Sequence, residues 1–142
     1  KLDKDTVYNE VFLDKQNLER MFGCQITGMA YPYGTYNDEV VQILKKCKIQ
    51  YARSVVSSGA FKLQKNLLIF KPTCHHADEN IWELLEKFLK EKSEEKQLFY
   101  IWGHSYEFDV NNNWKRMEEI LDRLIGHNNI FYGTNREVLL PC

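Results

Sequence analysis

No pair of cysteines in this sequence has the C-x-x-C spacing; Cys24, Cys47, Cys74 and Cys142 are scattered. That excludes a zinc ribbon or a thioredoxin-like redox site and leaves buried or free thiols as the reading, with a disulfide open. There is no basic stripe, and the net charge is −1. Neutralising phosphates takes clustered Lys and Arg, so a dedicated nucleic-acid binder is excluded. No apolar run approaches the roughly 20 residues that span a bilayer. No internal repeat and no low-complexity tract is visible. The chain opens at Lys1 with neither Met nor a signal-like segment, so it reads as a processed chain or a fragment, and its compartment is not legible. What is there is a globular composition, 44% apolar and 27% charged over 142 residues. That is enough for a single domain with a real core.

Hydrophobic periodicity predicts four helices. The first spans Lys1–Phe22, with Val7, Val11, Leu18 and Phe22 on one stripe, Asp5 as N-cap and Gly23 at its stop. Asn37 caps the second, whose inner face is Val40, Val41, Leu44 and Cys47; Asp38 and Glu39 suit its positive end. Asp78 caps the third, with Ile81, Trp82, Leu85, Phe88 and Leu89 inward. The fourth follows the Asn111–Asn113 turn and buries Trp114, Met117, Leu121, Leu124 and Ile125. Between them Gln25–Tyr31, Gln50–Val55, Leu67–Lys71 and the run from Phe99 read as strands, and Asn129–Tyr132 and Glu137–Leu140 close the chain as short ones. Strands alternating with helices mean β/α units and a mostly parallel sheet, with ligands at the C-terminal ends of the strands.

Three polar clusters fall at those ends. In Tyr31-Pro32-Tyr33-Gly34, proline fixes φ and glycine permits a tight bend, so the loop can aim backbone N–H groups at a developing oxyanion. Cys74-His75-His76-Ala77-Asp78 has the residue types of a metal site. Neighbours on a strand point to opposite faces, however, so His75 and His76 are not expected to reach one ion unless the backbone turns there. The third cluster holds His104, Glu107 and Asp109. His104 is a candidate proton-transfer residue. On a continued strand Glu107 and Asp109 share a face about 7 Å apart, a spacing that glycoside hydrolysis could use.

Taken in order, Gly28-Met-Ala-Tyr-Pro-Tyr-Gly-Thr-Tyr, Lys71-Pro-Thr-Cys-His-His-Ala-Asp and Tyr100-Ile-Trp-Gly-His-Ser-Tyr-Glu-Phe resemble the later part of the polysaccharide deacetylase family, the NodB-homology domain. Ile49-Gln-Tyr-Ala-Arg-Ser is similar to the family's strand after the first block. The resemblance covers nearly the whole chain and implies an α/β fold, a partial (β/α) barrel of the deacetylase type. It implies metal-dependent hydrolysis of N- or O-acetyl groups on a carbohydrate, in which a divalent ion, usually zinc, activates water. By motif His104 matches the general acid, and Tyr33 the residue whose backbone N–H helps form the oxyanion hole. Tyr31, Pro32, His75, Trp102 and Glu107 would line the sugar site by position. The family is commonly secreted or on the cell surface.

The departures are as informative. The family's metal-binding Asp, its H-x-x-x-H-type pair and its catalytic Asp precede the helix that opens this chain, and no such pair and no Asp-Asp occurs here. Metal ligands are therefore not identifiable. Ala30 stands where the family often has an Arg two residues before the loop proline. The expectation is the C-terminal part of a deacetylase catalytic domain. Its open sheet edge would be covered by a partner, a second copy or a missing N-terminal segment. A non-catalytic carbohydrate-binding or scaffold domain is the alternative, with Trp102 and Trp114 as stacking faces.

Overall fold

The computed structural model describes residues 2–140; Lys1 and Cys142, named above, lie outside the described residues. The backbone forms two compact units, one of Lys1–Val55, Gln64–Phe70 and Gly133–Cys142, the other of Val56–Leu63 and Lys71–Tyr132.

In the first unit, helix α1 runs Lys4–Phe22. Its cap is Asp3, not Asp5: the Asp3 carboxylate accepts the Thr6 N–H at 2.9 Å and its hydroxyl at 2.7 Å. A cap must reach the N–H three residues on, and Asp5 already sits inside the first turn. Gly23, in the left-handed region at φ 63°, ends the helix. Helix α2, Asp38–Lys46, is capped as expected by Asn37, which accepts the Val40 N–H at 2.9 Å. Val7, Tyr8, Val11 and Phe12 of α1 pack on a core of Val41, Ile43, Leu44, Cys47, Ile49 and Ala52. Strand β1, Gly28–Ala30, pairs in parallel with β2, Tyr51–Arg53.

Two strands expected here are not formed. Leu67–Ile69 is a 3₁₀ turn, because the Asn66 side chain takes the Leu68 N–H and curls the chain. Only Phe70 bridges to β2, giving its N–H to Ala52 and accepting from Ser54. In place of strand Glu137–Leu140 there is helix α6, Asn135–Leu139, opened by a reciprocal capping box of Thr134 and Glu137.

In the second unit, β3 (Cys74–His75) pairs in parallel with β4 (Ile101–Trp102). Helices α3 (Ile81–Lys90) and α5 (Trp114–Leu124) close a core of Cys74, Ile81, Leu85 and Ile120. Asn80, not Asp78, occupies the N-cap of α3; Asp78 instead accepts the Asn80 N–H at 2.9 Å and shapes the turn before it. The strand from Phe99 stops at Trp102, and a short helix α4, Tyr106–Val110, follows. Asn129–Tyr132 is not a strand.

The fold is thus mixed α/β with small parallel sheets. The strands pair two by two and no barrel is shown. Among the described residues no third strand pairs the outer edge of β1.

Candidate active site

In the second unit β3 ends at His75 and the chain turns immediately, the Asp78 N–H bonding back to the His75 carbonyl at 3.0 Å. Arg116 of α5 holds the turn from outside, its guanidinium donating to the carbonyls of His76 at 3.1 Å and Asp78 at 2.8 Å. The expectation that His75 and His76 face apart is therefore corrected. Their rings lie 4.3 Å apart and turn to the same carboxylate. His76 is buried between His75 and the Phe108 ring at 4.2 Å. Its seat exists because residue 103 is glycine: a Cβ there would fall 1.9 Å from His76 Cδ2.

That carboxylate is Glu107. It leans back over the first turn of α4, so that Oε2 accepts the His76 Nε2–H at 2.6 Å and the His104 backbone N–H at 3.1 Å. His75 Nε2 lies 3.2 Å from the same oxygen, and His104 Nδ1 lies 3.4 Å from Oε1. Burial alone would raise the Glu107 pKa, but the His104 N–H and the His76 imidazole outweigh it and hold the carboxyl at about 2. His75 is shifted downward, by burial first and by the neighbouring His76 second, against the pull of Glu107. Its Nδ1 accepts the Ala77 N–H at 3.1 Å, which makes Nε2 the protonated nitrogen of the neutral ring. His104 is half exposed, 51% at the side chain, and Trp102 stands edge-on to His75 at 4.5 Å.

Asp109 does not join this group. It lies on α4, where residues two apart do not face each other, and it accepts the Trp114 indole N–H at 2.7 Å. The expected carboxylate pair does not form, and the glycoside hydrolase reading falls with it.

The first unit holds the other predicted residues. Tyr31 has a buried ring whose hydroxyl donates to the Leu68 carbonyl at 2.6 Å, and burial, then Tyr36, pushes its pKa up to about 12. It supports the loop from within. Pro32 opens a 3₁₀ turn in which Tyr33 adopts φ 56°, ψ 12°, a left-handed conformation uncommon for a bulky residue. Strain of this kind persists only where the surroundings impose it. Here Gly34 follows at φ 69° against Val55, where a Cβ would fall 2.3 Å away. The Tyr33 ring is 96% exposed, and its N–H has no hydrogen-bond partner among the described residues.

The His75, His76 and Glu107 donor atoms all lie within 4.8 Å of one another, the make-up of a metal site. The surroundings do not fit one. A metal-ligating imidazole gives its other N–H to an acceptor. The other nitrogen of His75 faces the Ala77 N–H, itself a donor, and that of His76 is buried without a partner among the described residues. As arranged, the cluster is joined by protons.

Arg116 was not anticipated from the sequence as part of this site; His76 was named only as one of two histidines of metal-site type, and Gly103 only as a member of a polar cluster. The signal for the hub was the His104-x-x-Glu107 spacing, which brings two side chains together on a helical turn but not on a strand.

A family model described as polysaccharide deacetylase matches residues 1–52. The match supports a polysaccharide deacetylase domain at the N-terminal part of the chain. It takes in α1, β1, the Pro-Tyr-Gly turn and α2 and stops within β2, before the histidine–carboxylate cluster. The family is generally metal-dependent and acts on carbohydrate. No curated protein and no solved structure matches the chain. No helix among the described residues is long and apolar enough to cross a membrane.

Proposed function

We propose, from the deacetylase match over residues 1–52, that the protein hydrolyses N- or O-acetyl groups on a carbohydrate. On this reading the chain is the C-terminal part of a catalytic domain built as a partial (β/α) barrel. The observation that carries it is the setting of His104. Its Nδ1 faces the ionised Glu107 at 3.4 Å, and half of the side chain is exposed, so Nε2 is available to a substrate. An imidazolium so placed can give its Nε2 proton to the leaving amine or alkoxide as the bond to the acetyl carbon breaks, and Glu107 stabilises the charge until then. Separately, in the first unit, the Tyr33 N–H, which has no partner among the described residues, is the proposed oxyanion donor by family motif alone. In the second unit His75, Trp102 and Glu107 are the proposed contributors to sugar binding, and Pro32 is proposed for the first unit by family position alone. None of the described residues forms a fitting set for the family's divalent ion, usually zinc, and no step is assigned to one.

The test is acetate release from N- and O-acetylated oligosaccharides by the full-length protein, with and without a chelator. Removal of a general acid costs about 10²–10⁴-fold, so His104→Ala should lose at least the lower figure. Undiminished release by that variant would remove His104 from the mechanism. The second reading, a carbohydrate-binding domain without turnover, is favoured by the failure of His75, His76 and Glu107 to fit a metal. Oligosaccharide binding with no acetate released is its outcome.

A further inference from the structure

We propose that His76, a residue outside every substrate-facing position named above, is a positioning residue: its Nε2–H pins Glu107 so that the carboxylate holds His104 with Nδ1 protonated and Nε2 turned outward. The inference rests on the reading of His104 as proton donor and adds the device that aims it.

The hydrogen bonds carry it. Glu107 Oε2 takes the His76 proton at 2.6 Å, the shortest contact at this carboxylate, and the His104 main-chain N–H at 3.1 Å. One oxygen thus ties the β3–α3 turn to the residue that bears the donor ring, and the other, Oε1, is left 3.4 Å from His104 Nδ1. A charge-assisted bond of this length, formed by a buried donor, fixes a carboxylate far better than an exposed one would. His76 itself has little freedom. His75 and Phe108 lie on its ring, the Gly103 backbone is beneath it, and Arg116 holds its carbonyl.

The Nδ1 of His76, without a partner among the described residues, gives the second argument. A buried polar atom without a partner costs free energy. An apolar ring would avoid that cost, so what the imidazole contributes is the other nitrogen. His75 repeats the pattern more weakly: its Nδ1 is used by Ala77, and its Nε2–H lies 3.2 Å from Glu107. Both imidazoles act as proton donors toward one carboxylate. This is the opposite of lone-pair donation to a metal and explains why a cluster of metal-site composition does not fit one.

The experiment uses ¹⁵N-labelled protein and reads imidazole tautomers by long-range ¹H–¹⁵N spectra, independently of activity. His75 and His76 are expected as Nε2–H and neutral His104 as Nδ1–H. A Gln side chain can place an N–H where His Nε2 was, so His76→Gln should keep the His104 tautomer and the pH profile of acetate release. His76→Leu should lose the Nδ1–H preference and lower kcat about tenfold or more, with KM little changed. Zinc added to the wild-type protein should leave the His75 and His76 resonances in place. Nδ1–H tautomers at His75 and His76, stoichiometric zinc uptake abolished by Glu107→Gln, or a His104 tautomer indifferent to His76→Leu each overturn the proposal. If His76→Leu does not fold, the wild-type tautomers decide. If the tautomers are as expected but no acetate is released, the functional reading fails and the clamp stands.

Discussion

Adding one methyl group at Gly103 tests the packing of the candidate site without removing any polar atom from it. In Gly103→Ala the new Cβ would lie 1.9 Å from His76 Cδ2, 2.7 Å from Nε2 and 3.1 Å from Cγ. The first two separations are below any real Cβ contact, so His76 or the β4–α4 backbone must move. Rotation does not rescue the ring, which has His75 at 4.3 Å and Phe108 at 4.2 Å. Overpacking of this kind costs about 1–3 kcal/mol. Displacing Nε2 also weakens its bond to Glu107, and hydrogen bonds to charged groups contribute roughly 1.5–3 kcal/mol. The two losses share one displacement and do not add in full, so about 2–4 kcal/mol is expected, equivalent to a fall in Tm on the order of 10 °C. Gly59→Ala is the control. Gly103 has φ +156°, where a side chain is strained whatever the space, and Gly59, at φ +60°, supplies backbone strain of its own, but a Cβ there meets nothing within 4 Å. It carries only the left-handed strain of about 1 kcal/mol. Thermal and urea unfolding of both variants, followed by circular dichroism, makes the comparison. If Gly103→Ala is no less stable than Gly59→Ala, and its His104 amide resonance is unmoved, the seat described for His76 is wrong.

Other consequences can be checked with similar means. Glu107 is held at about 2 in the fold against an ordinary 4.5. The unfolded chain therefore binds more protons between those values, and the stability this group contributes is present above pH 4.5 and lost as pH falls toward 2. Urea titrations at stepped pH should show that limb in the wild type and not in Glu107→Gln. Tyr31 has the opposite sign. Its pKa of about 12 against 10 means that stability falls as pH rises from 10 to 12. Tyr31→Phe should abolish that slope and cost about 1–2 kcal/mol at neutral pH by leaving the Leu68 carbonyl unpaired. Tyr33→Gly should be close to neutral in stability, since the ring is 96% exposed and the residue sits at φ 56°; a loss above about 1 kcal/mol would show packing that the geometry does not contain. Thiol titration should modify exposed Cys24 well before buried Cys47 and Cys74, the last pushed up to about 12 by burial, then by Asp78.

The elements that were legible in the sequence are those whose signal is local and repeated. The stripes of α1 and α3 recur over several turns, and Asn37 begins α2 by a bond spanning three residues; α5 forms as expected, but Trp114, Leu121 and Ile125 of its expected inner face are exposed, as is Phe22 of α1, and Ile120 is the residue that α5 buries. Segments decided by a single side-chain bond were misread. Leu67–Lys71 has the apolar run of a strand, yet one hydrogen bond from Asn66 curls it. Thr134-x-x-Glu137 is a capping box, a local signal that outweighed the β-branched and apolar residues after it. At the candidate site the same distinction holds. His104 could be found from its place after an apolar run and a glycine. The task of Glu107 depended on whether the chain continued as strand, which pairs it with Asp109, or turned into helix, which pairs it with His104. The pattern of periodicity from Tyr106 to Val110 is too short to decide that.

What no local pattern contained is the role of His76. Read along the chain it is one of two adjacent histidines, and their types suggest a metal. The answer lies in the neighbours of each second nitrogen: an amide donor from Ala77 for one, and none among the described residues for the other. Those neighbours are set by a turn that Arg116 holds from 38 and 40 residues away in sequence. Residue types thus name a chemistry that the hydrogen-bond directions reverse, turning two lone-pair donors into two proton donors. The reversal has a consequence for any assay of the protein. Chelation that stops acetate release should act on an ion held elsewhere, and should leave the His76–Glu107 bond and the His104 tautomer as they are. Imidazole spectra recorded before and after chelation would separate the two, and a change at His76 on removing metal would contradict the assignment of its proton.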